Sequence, residues 1–327
     1  VDARPGDADQ HLAGGRRRHR HPVGMQHRGR TAVAVIDEIH RCGNLTHGLT
    51  RVLARVGCVA HSRHDRTLRE EFELATIHNS VGADYAFLEG GPPFSSGVIA
   101  LPGFEIVRAR FAHVLPMAEG FEAIAAHLRE RHRPLTALCA AELRSPSPFS
   151  LGGFGDFNAT YVAVLKRWGL YRDELNPVAR SNVCPLYDAP AQPGFHAFSY
   201  TVPTGAAHAG LLTTSDHAAD APGPRSFVIA GFLEWDVATP FPDGIVARGD
   251  TSPAGLARKA AFVLDGLERN TAALGGDWKA VTAVQVYTEH DIGALVATQF
   301  APRGLARLGI DWHVCRPPIE GMEFEID

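Results

Sequence analysis

Over 252–267 the apolar residues Leu256, Ala260, Val263, Leu264 and Leu267 recur every three or four positions and define one face. That spacing predicts an amphipathic helix at about 253–273; the run at 157–168 reads as another, at about 156–168, and a shorter one covers 292–308. Ser252 followed by Pro253 supplies an N-cap and a first helical residue, and Gly275-Gly276 stops the helix. Apolar and polar residues alternate over 195–200, 281–287 and 322–326, which predicts strands. The more continuously apolar run 226–231 predicts a buried strand. Residues 208–224 are rich in Ala, Gly, Thr and Pro and read as a linker.

Between the helix at 157–168 and the strand at 195–200 lies Asn176-Pro177-Val178-Ala179-Arg180-Ser181-Asn182. Pro177 fixes its own φ and biases Asn176 to an extended backbone, so Arg180 follows a turn and enters a strand. An arginine there, followed by two small polar residues, presents a planar fork of donors suited to a carboxylate. Arg180, Ser181 and Asn182 are therefore the candidate substrate-binding residues. The bland alternative is a solvated surface arginine.

The order of these elements resembles that of the RidA family, the YjgF-type imine and enamine deaminases. Residues 118–128 match its first helix and 135–143 its next strand. Phe157-Asn158-Ala159-Thr160-Tyr161 opens the second helix, and Val178-Ala179-Arg180-Ser181 falls where that family carries its carboxylate-binding arginine. The order recurs over 224–327, where Met322-Glu323-Phe324-Glu325-Ile326 is similar to the family's terminal strand, with its Glu-apolar-Glu alternation. The fold expected is α+β, with two tandem RidA-like units, each a mixed β-sheet backed by two helices. The division expected is a poorly ordered or spurious extension over 1–95, a first unit over 96–203, a linker over 204–223 and a second unit over 224–327.

The two copies differ in a complementary way. The first keeps Arg180 but has His196 and Phe198 near the place of the family's catalytic glutamate. The second keeps Glu323 and Glu325, but Gly309 or Asp311 stands where the arginine belongs. The resemblance implies hydrolytic deamination of small carboxylate-bearing enamines or imines, releasing ammonia and a keto acid. Arg180 would hold the carboxylate, and Glu323 or His196 would position water and move the proton. It further implies no metal or organic cofactor, and a homotrimer with clefts between subunits. Chorismatases, which resemble tandem units of this kind, supply a rival reading as enolpyruvyl ether hydrolases. A non-catalytic small-molecule binder is a third, and alternating glutamates also fit a solvated face.

Composition narrows the classes. The chain has 327 residues, 45% hydrophobic and 21% charged, with a net charge of −4. Those values fit a globular protein of two domains and give no electrostatic reason to expect nucleic acid. No apolar run approaches the roughly 20 residues that span a bilayer. Five scattered cysteines with no CxxC pair build no disulfide framework, which suits a reducing cytoplasm.

Residues 1–95 hold nine of the 17 histidines, thirteen arginines and no lysine, and 16–21 is basic low complexity. His40, Cys42, His47, His61 and His64 have ligand-type side chains but no common zinc spacing. Cys315 shares a strand face with His313, as a nucleophile and base would, although a packing cysteine has the same pattern. No dinucleotide fingerprint, GxSxG or HExxH is present, and Gly90-Gly91 and Gly152-Gly153 lack the Lys-Ser/Thr of a phosphate loop.

Overall fold

The computed structural model describes residues 75–82, 84–205 and 225–327, together with a two-residue strand, β1 (Met25–Gln26). Then come β2 (Ile77–Asn79), β3 (Tyr85–Leu88), β4 (Gly97–Ala100), β5 (Phe104–Pro116), α1 (Met117–Glu130), β6 (Leu138–Arg144), α2 (Leu151–Arg167), β7 (Ala179–Pro185) and β8 (Gly194–Pro203). The remainder comprises β9 (Phe227–Ile229), β10 (Phe232–Leu233), α3 (Pro253–Ala273), β11 (Gln285–Tyr287), β12 (Asp311–His313), β13 (Cys315–Arg316) and β14 (Glu325–Ile326). A helical stretch over 293–308 is broken into α, π and 3-10 turns. The architecture is mixed α and β.

The largest sheet has the order β1-β5-β8-β6-β7-β13, and a second has β10-β14-β11-β12. In the first, β5 and β8 are antiparallel, β8 and β6 antiparallel, and β6 and β7 parallel. In the second, β10 and β14, β14 and β11, and β11 and β12 repeat those senses in turn. Helical segments occupy the matching intervals of both. β13 pairs with β7 and so ties the end of the chain to the larger sheet.

Local chemistry explains the helices. Ser150 and Ser252 have extended backbone, and each side chain accepts the N–H of the residue three positions on, Gly153 and Gly255. Each cap satisfies one orphan donor of the first turn. The α3 stripe of Leu256, Ala260, Val263, Leu264 and Leu267 is buried against Val286, Phe324 and Ile326. On the larger sheet, Phe121, Ile124 and Leu128 of α1 and Tyr161 and Leu165 of α2 pack on Phe111, Leu143, Phe195 and Phe198.

Several expected boundaries move. Residues 77–95 are not an unpacked extension: β2, β3, β4 and β9 form a third sheet, and Tyr85, Leu88 and Val98 are buried. Tyr85 donates to the Leu138 carbonyl at 2.8 Å, stitching this sheet to β6. The strand expected to open the second unit, 226–231, joins β4 instead through β9, and the second sheet opens at Phe232. The 281–287 and 322–326 strands shorten to 285–287 and 325–326. Helix α2 starts at Leu151, before the expected 156. The rest of 1–74, the histidine-rich tract included, and 206–224 of the expected linker lie outside the described residues. No helix among the described residues is long and apolar enough to cross a membrane.

Candidate active site

Arg180 lies on β7, where it pairs in register with Ala141 of β6, a residue of the helix-covered core. Register partners share a face, so the Arg180 side chain points toward α2. There it sits among four aromatic rings: Phe94 and Tyr161 with centroids at 4.9 Å, Phe154 at 5.6 Å and Phe157 at 5.8 Å. Its Nη2 donates to Asn158 Oδ1 at 2.6 Å, while Nη1 is buried with no hydrogen-bond partner among the described residues. Burial lowers the guanidinium pKa to about 10, with Tyr161 and Glu325 opposing the shift, so Arg180 keeps its charge at neutral pH. This is a half-satisfied fork held by π faces.

Asn182, two residues on, shares that face. Its Oδ1 accepts from Ser145 Oγ at 3.0 Å, and its Nδ2 is buried and unpartnered among the described residues.

The opposite face of the sheet presents a different set. Ser181 pairs with Glu142, and Arg108 grips Glu142 in a bidentate pair of 2.5 and 2.7 Å. Burial alone would raise the Glu142 carboxyl, but Arg108, with Arg144 and His196, holds it at about 2. Burial first and Arg144 second push His196 down to about 3, leaving a neutral imidazole that is a feeble base. Arg108, Arg110, Glu142, Arg180, Ser181 and His196 line a cavity of about 470 Å³, completed by His313 and Asp327. Of the sequence candidates, Arg180, Ser181 and His196 therefore border one cavity. His196 lies among Glu142 and the arginines, whereas the Arg180 fork points under α2.

Glu323 is not at the cavity. Its Oε2 lies 3.0 Å from Nζ of Lys259, a lysine buried in α3, and its peptide precedes β14. The other glutamate of the alternation, Glu325, is the one near Arg180. It is 2% exposed, and each of the two groups feels the other's charge. Burial and the charge of Asp327 raise the Glu325 carboxyl well above its ordinary value, against Arg144 and Arg180, which favours its protonated form. Its carboxyl abuts Gly231 so closely that any side chain at Gly231 would displace it. The Gly231 N–H in turn donates to the Arg180 carbonyl at 3.1 Å.

Arg144 Nη2, Tyr161 Oη and Glu325 Oε2 join Arg180 Nη1 and Asn182 Nδ2 as buried polar atoms lacking partners among the described residues. Such groups are normally satisfied by protein, water or ligand. Cys184 and Cys315 do not serve as nucleophiles here, because burial pushes their thiols up to about 12 and 11. No group of three His, Cys, Asp or Glu among the described residues is arranged to hold a metal ion.

Residues 77–327 match the family of the 2-aminomuconate deaminase CnbZ. The chain belongs to that family. The 2-amino-5-chloromuconate deaminase of Comamonas testosteroni is 44% identical over 243 residues, 74% of this chain and 92% of that protein. Among solved structures, a chorismatase aligns over 76% of this chain and 84% of its own, with 13% identity and a TM-score of 0.40. That likeness is too slight to carry an argument about fold or activity. The match beginning at residue 77 coincides with the start of β2.

Proposed function

We propose that the protein deaminates 2-aminomuconate or a close relative by hydrolysis, at a site formed by Arg180 and Glu325. The observation that carries this reading is a caged arginine on β7, with an unpartnered donor among the described residues, within electrostatic reach of a buried carboxyl on β14 of the second sheet. The C. testosteroni relative, which acts on an aminomuconate by its name, supports the substrate class. The recurrence of strand order and pairing sense in the two sheets supports reading 96–203 and 224–327 as tandem RidA-like units.

In this mechanism Arg180 holds the carboxylate beside the amino-bearing carbon, and Asn158 fixes the orientation of the fork. The Glu325 carboxyl gives its proton to a ring-opened enamine carbon, the C=C electrons form the new C–H bond, and an iminium results. Water then adds to the iminium carbon, and the Glu325 carboxylate takes one of its protons. That proton passes to nitrogen, the C–N bond breaks as the hydroxyl oxygen forms the C=O bond, ammonia leaves, and the hydroxyl proton returns to the Glu325 carboxylate as the 2-oxo acid forms. The sum is enamine plus water giving oxo acid plus ammonia. A carboxyl kept protonated by burial is suited to the first step, and general acid catalysis of this kind contributes roughly 10²–10⁴ in rate.

The test is ammonia release from 2-aminomuconate, with freshly generated 2-imino acids and chorismate as comparison substrates. Glu325→Gln is expected to lower kcat by roughly 10²–10⁴ with its fold intact. Full activity in Glu325→Gln, or turnover of chorismate alone, would remove the reading.

A further inference from the structure

The segment leading into β14 is held by an ion cluster away from the substrate groups. Glu234 and Lys259 are both fully buried. The Glu234 carboxylate accepts two consecutive backbone donors, Glu323 N–H at 2.5 Å and Phe324 N–H at 3.1 Å. Thr288 Oγ1 donates to the Glu323 carbonyl at 2.7 Å. Lys259 Nζ lies 3.0 Å from Glu323 Oε2 and 3.6 Å from Glu234 Oε1, and donates to the Val246 carbonyl at 2.9 Å. One residue, Glu323, is thus gripped at its N–H by Glu234, at its C=O by Thr288 and through its side chain by Lys259.

Burying two opposite charges costs solvation that their attraction only partly recovers, so an apolar pair would be no worse for stability. Apolar side chains, however, cannot accept backbone N–H groups. Glu325 follows Phe324 directly, so the rotation of the 323–324 peptides sets where its carboxyl points. A shift of about 1 Å in a proton donor is enough to cost about a hundredfold in rate.

We infer that Glu234, Lys259 and Thr288 are positioning residues that aim Glu325 at the substrate held by Arg180. This deepens the deaminase reading, and its kinetic test rests on that reading; its titration test does not.

The experiment compares Glu234→Gln, Thr288→Val and Thr288→Ser with the wild-type chain. Each is checked for folding by circular dichroism, and the Glu325 resonance of 13C-carboxyl-labelled protein is followed against pH. Thr288→Val alters no charge, so a fall in the Glu325 midpoint by a unit or more, restored in Thr288→Ser, is the expected signature of displacement. If Glu234→Gln moves the midpoint while Thr288→Val does not, the cluster acts only through its charge and the positioning role is overturned.

In kinetics, Glu234→Gln is expected to lower kcat about tenfold or more, and Thr288→Val about threefold, each with KM within about twofold. An unmoved kcat in folded variants overturns the inference. A wild type inactive on 2-aminomuconate but showing the Thr288 titration signature keeps the positioning device and rejects the substrate reading. Should Glu234→Gln not fold, the Thr288 pair decides both arms.

Discussion

Arg180 is buried, charged, surrounded by four rings and, among the described residues, hydrogen-bonded only to a neutral amide. Such a group is costly to the fold, which suggests retention for a ligand. Arg180→Lys should therefore hurt nearly as much as Arg180→Ala, because a point ammonium cannot reproduce the fork. Either loss should cost roughly 2–4 kcal/mol in kcat/KM, measured by steady-state ammonia release. Arg180→Met, which fills the cage without a charge, should leave the melting temperature unchanged or raise it while removing activity. A large drop in melting temperature would instead make Arg180 a structural group. Its place on a strand was legible from Pro177 and the small polar residues after it. The choice between Glu323 and Glu325 was not, since alternation places both on one face. The missing clue was Lys259: it lies three residues from Leu256, on the buried stripe of α3, where a lysine demands a buried counter-ion. That counter-ion includes Glu323, which is why the proposed reaction is placed on Glu325.

Among the elements, the amphipathic helices were the most legible because their capping serines and apolar stripes agree, as at Ser252 and Leu256. Helix α2 was read too short because Gly152, Gly153 and Gly155 weaken helix propensity in its first turns, while the Ser150 cap and packing of Phe154 offset them. The strands of 77–100 were not legible because their runs are only three or four residues long, too short for a period to show. They are integral to the core: Ala86, Leu88 and Ile99 join Phe227 and the α3 residues in one cluster, and Tyr85, Phe87 and Val98 pack on Ile106 and Ala140. Removing residues 1–96 should therefore strip the cover from both clusters and remove Phe94 from the Arg180 cage. The expected result is a collapse of soluble yield and of ammonia release, whereas removal of 1–74 alone should preserve the strands. Expression of the two truncations side by side, followed by thermal melts, checks this. A fully stable 97–327 fragment would show the third sheet to be dispensable.

For the whole molecule, the buried titratable groups set how stability depends on pH. His196 and His313 are pushed down to about 3 and 4, chiefly by burial, and Glu142 is held at about 2 despite it. These contribute stability above their unfolded pKa values that is lost as pH falls toward the folded ones. Burial instead raises Glu234 to about 7, Asp327 to about 6 and Glu325 well above its usual value. Those contribute stability at low pH that is lost as pH rises toward their folded values. Near pH 5 to 6 the unfolded chain holds two extra protons, on the histidines, and protons held by Glu234, Asp327 and the raised Glu325 carboxyl in the folded chain offset them. Below about pH 4 the unfolded carboxyls fill toward six protons in all, while the folded chain gains its remaining protons only as His313, His196 and Glu142 titrate at about 4, 3 and 2. Each uncompensated proton is worth about 1.4 kcal/mol per pH unit. Denaturant unfolding across pH should thus show a steep loss of stability below about pH 4 and only a shallow decline from 5 to 6. Glu234→Gln, which cancels one of the three raised carboxyls, should flatten the 5-to-6 segment and leave the acid limb in place. A wild-type stability that climbs steadily from pH 5 to 6 would mean that the histidines titrate against no buried carboxyls, and that Glu325 is not held protonated for the reaction.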